Sequence, residues 1–147
     1  MFPHGNHPAT VDVKGRLKVP AAFLEPLEQL GTQVFVTSLD GQSASIYPMK
    51  VWEDTVAHVR KLGELHPTWR RFSRITNFYG QQVELDTQHR IVLPQNLRTL
   101  ANIVGKVDVL GMERYLEVWN HATLLSRITD DPLTDHDDLK LAHPEGI

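Results

Sequence analysis

Two short stretches hold the residues best suited to chemistry. Asp12-Val13-Lys14-Gly15-Arg16 and Asp86-Thr87-Gln88-His89-Arg90 each place a carboxylate four residues before a guanidinium. Gly15 can take positive φ, so the chain can turn tightly before the Arg-bearing segment. Across such a turn Asp12 can hold one side of the Arg16 fork and leave its other donors directed outward. Lys14, Arg16 and Lys18 then form a cationic ridge suited to phosphate, and an oriented Arg can also pair with guanine. An Asp and an Arg flanking a turn also make a plain surface ion pair, worth under about 1 kcal/mol. Recurrence at one spacing argues for more than an incidental pair, although duplication alone can preserve a structural one.

The elements that must position these residues are themselves repeated. Val11-Asp12-Val13-Lys14-Gly15-Arg16-Leu17-Lys18-Val19-Pro20 recurs as Leu85-Asp86-Thr87-Gln88-His89-Arg90-Ile91-Val92-Leu93-Pro94. Each copy continues through a short helix, an apolar strand (Val34-Phe35-Val36-Thr37 against Asp108-Val109-Leu110-Gly111) and a strand closing on an aromatic. That last strand is Ser45-Ile46-Tyr47 against Glu117-Val118-Trp119, and the second copy reads two residues shorter between its last two strands. Arg16-Leu17-Lys18-Val19 alternates as a half-buried strand does. Pro20 and Pro94 mark helix starts. Phe23, Leu27 and Leu30 line one helix, which Pro26 should shorten or kink; Leu97, Leu100 and Ala101 line its counterpart. Asp40-Gly41 reads as a hairpin turn. Helices are expected from near Val51, with Trp52, Val56, Val59 and Leu62 on one face, from Thr68 to about Tyr79, and from near His121.

Composition narrows the classes. The 147 residues carry a net charge of −3, but from Asp130 onward six acids face one lysine. The body before it holds fourteen bases and twelve acids and is mildly basic. Nucleic-acid binding would therefore need local basic clusters or several subunits acting together. No apolar run approaches the roughly 20 residues of a membrane span, and the first residues lack a secretory pattern. The absence of cysteine excludes disulfides and thiolate zinc sites and agrees with a reducing cytoplasm. His4-Gly5-Asn6-His7 alone does not make a metal site, so the histidines read as surface residues and no metal or cofactor is expected. No nucleophile motif, phosphate loop or ligand set points to a hydrolase or another enzyme. Arg70, Arg71 and Arg74, interleaved with Trp69 and Phe72, could form a basic nucleic-acid patch; the competing and preferred reading packs Trp69, Phe72 and Ile75 inward and leaves the arginines solvated or paired with a neighbouring subunit. Trp52 and Trp119 read as core.

Met1-Phe2, Asp12-Val13-Lys14-Gly15-Arg16-Leu17, Ile46-Tyr47-Pro48 with Trp52, Arg71-Phe72-Ser73-Arg74, Val83-Glu84-Leu85-Asp86 and Arg90-Ile91-Val92-Leu93-Pro94 occur in one order. Together they resemble the MraZ family over about residues 1 to 127. The resemblance implies an α+β fold: tandem SpoVT-AbrB-like repeats forming a split, swapped-hairpin-like β-barrel with flanking helices. Its units would be module 1 at 7–54, a helical connector at 55–82, module 2 at 83–126 and an acidic flexible tail at 127–147. It implies a sequence-specific DNA-binding transcription regulator in the cytoplasm and nucleoid, usually a repressor of its own cell-division and cell-wall gene cluster. Such a protein binds direct repeats in double-stranded DNA as a ring-shaped homo-oligomer. By position, Lys14, Arg16, Lys18 and Arg90 would contact DNA, Asp12 and Asp86 would orient the arginines, and Gly15 and His89 would form the turns. Three departures stand out. His89 replaces Gly15 and must accept positive φ or reshape its turn; Gln88 and Val92 replace Lys14 and Lys18, so the first motif should dominate binding. An AbrB-like antitoxin or protein-interaction scaffold, its acidic tail capturing a partner, is the alternative.

Overall fold

The alternation read along Arg16-Leu17-Lys18 is that of a strand with one face on a core, and Arg90-Ile91-Val92 repeats it. A computed structural model describes residues 1–134 and 137. In chain order it comprises β1 (Gly5–Val11), β2 (Arg16–Lys18), α1 (Ala21–Leu30), β3 (Gln33–Thr37), β4 (Ala44–Pro48), α2 (Met49–Arg60) and α3 (Pro67–Tyr79). There follow β5 (Gln81–Glu84), β6 (Arg90–Val92), α4 (Gln95–Leu100), β7 (Gly105–Gly111), β8 (Leu116–Asn120) and α5 (His121–Asp130).

All eight strands join one antiparallel sheet in the order β5-β3-β4-β8-β7-β1-β2-β6. Its two ends, β5 and β6, are consecutive in the chain, and the Asp86 N–H donates to the Arg90 carbonyl at 3.0 Å. The sheet thus nearly closes into a barrel, which leaves little unpaired edge. The copies interleave. The β1–β2 hairpin of the first lies against β7 of the second, while β5 of the second lies against β3 of the first. Like strands meet at β2–β6 and β4–β8. This is the swapped-hairpin α+β arrangement that the resemblance implies.

Inside the barrel Leu17, Ile91, Val34, Val36, Val107, Val109, Ile46 and Val118 are fully buried, together with Phe23 and Leu27 of α1 and Leu97 of α4. A second cluster sits on the outer side of β3 and β4. There Trp52 stacks between Phe35 and Phe72, at 4.7 and 5.8 Å between ring centroids, and fastens α2 and α3 to the sheet. Trp119 is buried as well.

Several local expectations are corrected. Val34 and Val36 pair with Pro48 and Ile46, whereas Val107 and Val109 pair with Asn120 and Val118. The equivalent of Val34 is therefore Val107, not Asp108. A one-residue slip exchanges the faces of a strand, and the two missing residues divide between the helix–strand connection and the hairpin. Pro26 does not shorten α1, which continues to Leu30. Proline removes one N–H, while burial of Phe23 and Leu27 holds the turns on either side. Leu30, Leu62 and Leu100 are exposed rather than on the packed faces, Leu62 because α2 ends at Arg60. In α3 Trp69, Phe72 and Ile75 are half-buried and the three arginines exposed, as expected. α5 extends through residues 127–130; the expected flexibility of the acidic tail falls largely outside the described residues. No helix among the described residues is long and apolar enough to cross a membrane.

Candidate nucleic-acid interface

The turn after β1 is built by one carboxylate. Asp12 Oδ1 accepts the backbone N–H groups of Lys14 at 3.0 Å and Arg16 at 2.9 Å, while Oδ2 accepts Arg16 Nε at 2.6 Å. The Gly15 N–H donates to the Asp12 carbonyl at 2.9 Å, and Gly15 takes φ 81°. The second motif repeats each bond. Asp86 Oδ1 accepts from the N–H groups of Gln88 and Arg90, both at 2.8 Å, and Oδ2 accepts Arg90 Nε at 3.0 Å. His89 takes φ 61° and donates its N–H to the Asp86 carbonyl at 3.0 Å. The histidine thus tolerates the left-handed conformation, and the turn keeps its shape.

The backbone N–H of the motif arginine, with the guanidinium behind it, holds each carboxyl below the usual carboxylate range. Each arginine is fixed through Nε alone. Its terminal amino groups have no hydrogen-bond partner among the described residues, and the Arg16 and Arg90 side chains are 32% and 27% exposed. Bonding at one edge fixes the plane of the guanidinium and leaves the opposite donors for an incoming acceptor.

The two motifs adjoin. In the β2–β6 pair Leu17 faces Ile91 toward the core, while Arg16 pairs with Val92 and Lys18 with Arg90 on the outer side. Each turn is tied to the other copy: the Leu93 N–H donates to the Gly15 carbonyl at 2.8 Å, and the Val19 N–H to the His89 carbonyl at 3.0 Å. Lys14 stands exposed at the first turn. Asp12, Lys14, Arg16, Lys18, Asp86, His89 and Arg90 therefore come together on one surface, while Gly15 is buried in the first turn.

Sequence reasoning missed Arg98. From α4 it donates Nε to the Leu93 carbonyl at 3.0 Å and lays its guanidinium where a side chain on Gly15 would lie. The symmetric turn is flanked instead by α1, with Glu28 Oε1 3.7 Å from His89 Nε2. The only hint in the sequence is that the fourth residue after each helix-starting proline is Leu24 in one copy and Arg98 in the other.

Among known proteins, “Transcriptional regulator MraZ” of Acidobacterium capsulatum is 45% identical over 94% of this chain and 95% of its own length. Its counterpart in Koribacter versatilis is 43% identical over 94% and 95%. The chain belongs to the MraZ family of transcriptional regulators. A family model described as “MraZ protein, putative antitoxin-like” matches residues 79–138. The MraZ regulator of Herpetosiphon aurantiacus, 36% identical over 79% of each chain, agrees. The MraZ relatives thus span both motifs and not the second copy alone.

Proposed function

We propose that this chain is a sequence-specific DNA-binding transcription regulator, non-enzymatic, acting in the cytoplasm on the nucleoid. One observation carries the reading: two guanidiniums, each anchored at Nε by its own aspartate, lie on adjoining strands with Lys18 beside them and their remaining donors unpaired among the described residues. Donors so arranged suit guanine edges, while Lys14 and Lys18 suit the flanking phosphates. The first motif supplies three of these four bases and should dominate affinity.

A single site of this size makes few contacts, so firm binding requires linked sites. A ring-shaped homo-oligomer on direct repeats meets that need. Phe78, Leu125 and Ile128 leave apolar surface exposed for subunit contact. Family membership supports repression of the chain's own cell-division and cell-wall gene cluster. Selection of fragments of the organism's own DNA by the purified full-length protein tests the reading. The expected outcome is recovery of short tandem sites ahead of the chain's own gene; recovery of fragments with no shared sequence would overturn it.

A further inference from the structure

The basic face continues past both motifs to a residue on β7. Thr10 pairs with Lys106 across β1–β7, and Lys18 with Arg90 across β2–β6. The pairing of Val11 with Leu17 sets Thr10 opposite Lys18. Lys106, Thr10, Lys18 and Arg90 therefore form one row across four adjoining strands. Their neighbours Val107, Val11, Leu17 and Ile91 are buried, so alternation turns the whole row outward. Three strand steps of about 4.8 Å put Lys106 about 14 Å from Arg90 along the curved sheet, on the flank of the barrel. That separation is close to the roughly 12 Å width of the major groove. An arginine seated in the groove would thus leave Lys106 at its phosphate wall. Lys106 is exposed and has no ion pair among the described residues. Asp108, two residues on and on the same side of β7, is already held by Asn6 Nδ2 at 3.1 Å and His121 Nδ1 at 2.8 Å.

The equivalent row on the other side differs in charge. Arg16 pairs with Val92, and Gln33 with Glu84. The bond from the Asp86 N–H to the Arg90 carbonyl sets Glu84 opposite Val92. This row reads Arg16, Val92, Glu84, Gln33, one base and one acid, where its counterpart carries three bases and no acid. Gln33 Oε1 accepts from Gln82 at 2.9 Å. A face that the repeat makes nearly twofold in backbone is thus one-sided in charge.

We propose that Lys106 is a phosphate-contacting residue and that the duplex lies off-centre, toward Lys106 and away from Glu84. The proposal rests on the DNA-binding reading above. It gives the site a polarity, which suits repeats arranged head to tail rather than as inverted halves.

Salt titrations of binding test it with the full-length chain. One probe is a duplex taken from just upstream of the chain's own gene, and the other is a random-sequence duplex of equal length. Lys106→Gln should weaken both by the same factor and reduce the slope of log affinity against log salt by about 0.9 per engaged protomer. Gln33→Lys, at the equivalent position, should leave the slope unchanged. Wild-type affinity and slope in Lys106→Gln, or a comparable gain of slope in Gln33→Lys, would overturn the proposal. Arg16→Ala separates the two failures. If it loses binding while Lys106→Gln does not, only the role of Lys106 falls; if neither loses binding, the DNA-binding reading falls with it.

Discussion

Asp12 and Asp86 use one oxygen for the backbone of the turn and the other for a guanidinium, so a single carboxylate sets both loop and side chain. The residue at the left-handed position is glycine in one copy and histidine in the other. Their surroundings explain the difference. A Cβ on Gly15 would overlap the Arg98 guanidinium, whereas His89 is exposed and reaches toward Glu28. Gly15→Ala is expected to lower stability by about 1–3 kcal/mol through backbone strain, with displacement of Arg98 added. His89→Gly should leave stability unchanged or raise it by up to about 1 kcal/mol by relieving positive φ. Urea unfolding of both variants checks this; equal losses at the two positions would contradict it. These turns were legible in the sequence because their determinants lie within five residues of one another. Arg98 was not, because α4 meets the first turn only through the exchange of hairpins between copies.

At the scale of elements, strand alternation and the helix starts could be read locally, but strand partners could not. The repeat placed Arg16 and Arg90 in equivalent strands without showing that those strands pair with each other. The slip between Val34 and Asp108 has a related cause. Asp108 is a buried acid, satisfied by Asn6 on β1 and His121 on α5, and so it occupies an apolar-looking run while facing away from the barrel interior. The β4–β8 junction gives an independent check. Tyr47 stacks on Tyr115 at 4.7 Å, and burial first, then the neighbouring Tyr115 and Glu117, push its hydroxyl up to about 12. A tyrosine with a raised pKa in the folded state stabilises it below the unfolded value of about 10. That contribution declines as pH rises from about 10 through 12. Burial, with Glu117 beside it, also raises the Tyr115 hydroxyl, so tyrosinate absorbance during alkaline titration should show both Tyr47 and Tyr115 ionising late, together with loss of stability in that window. Ordinary titration of all three would contradict this packing.

At the scale of the molecule, a net charge of −3 conceals a mildly basic body and an acidic end. On the proposed reading, what matters for DNA is the placement of a few bases on the outer side of a nearly closed barrel. Because strands of both copies interleave in one sheet and the two motif strands pair with each other, neither motif has a surface of its own. The most direct measurement is the affinity of the full-length protein for a duplex from just upstream of its own gene, by fluorescence anisotropy at fixed salt. It should be made for Arg16→Ala, Arg90→Ala and the double variant, with light scattering to follow assembly. Loss of a base contact worth about 1–3 kcal/mol corresponds to roughly 5- to 150-fold weaker binding for each arginine that reads a base. The expected result is such a loss for Arg16→Ala, a smaller one for Arg90→Ala, a further loss in the double variant, and unchanged assembly throughout. Wild-type affinity in the double variant would contradict the account.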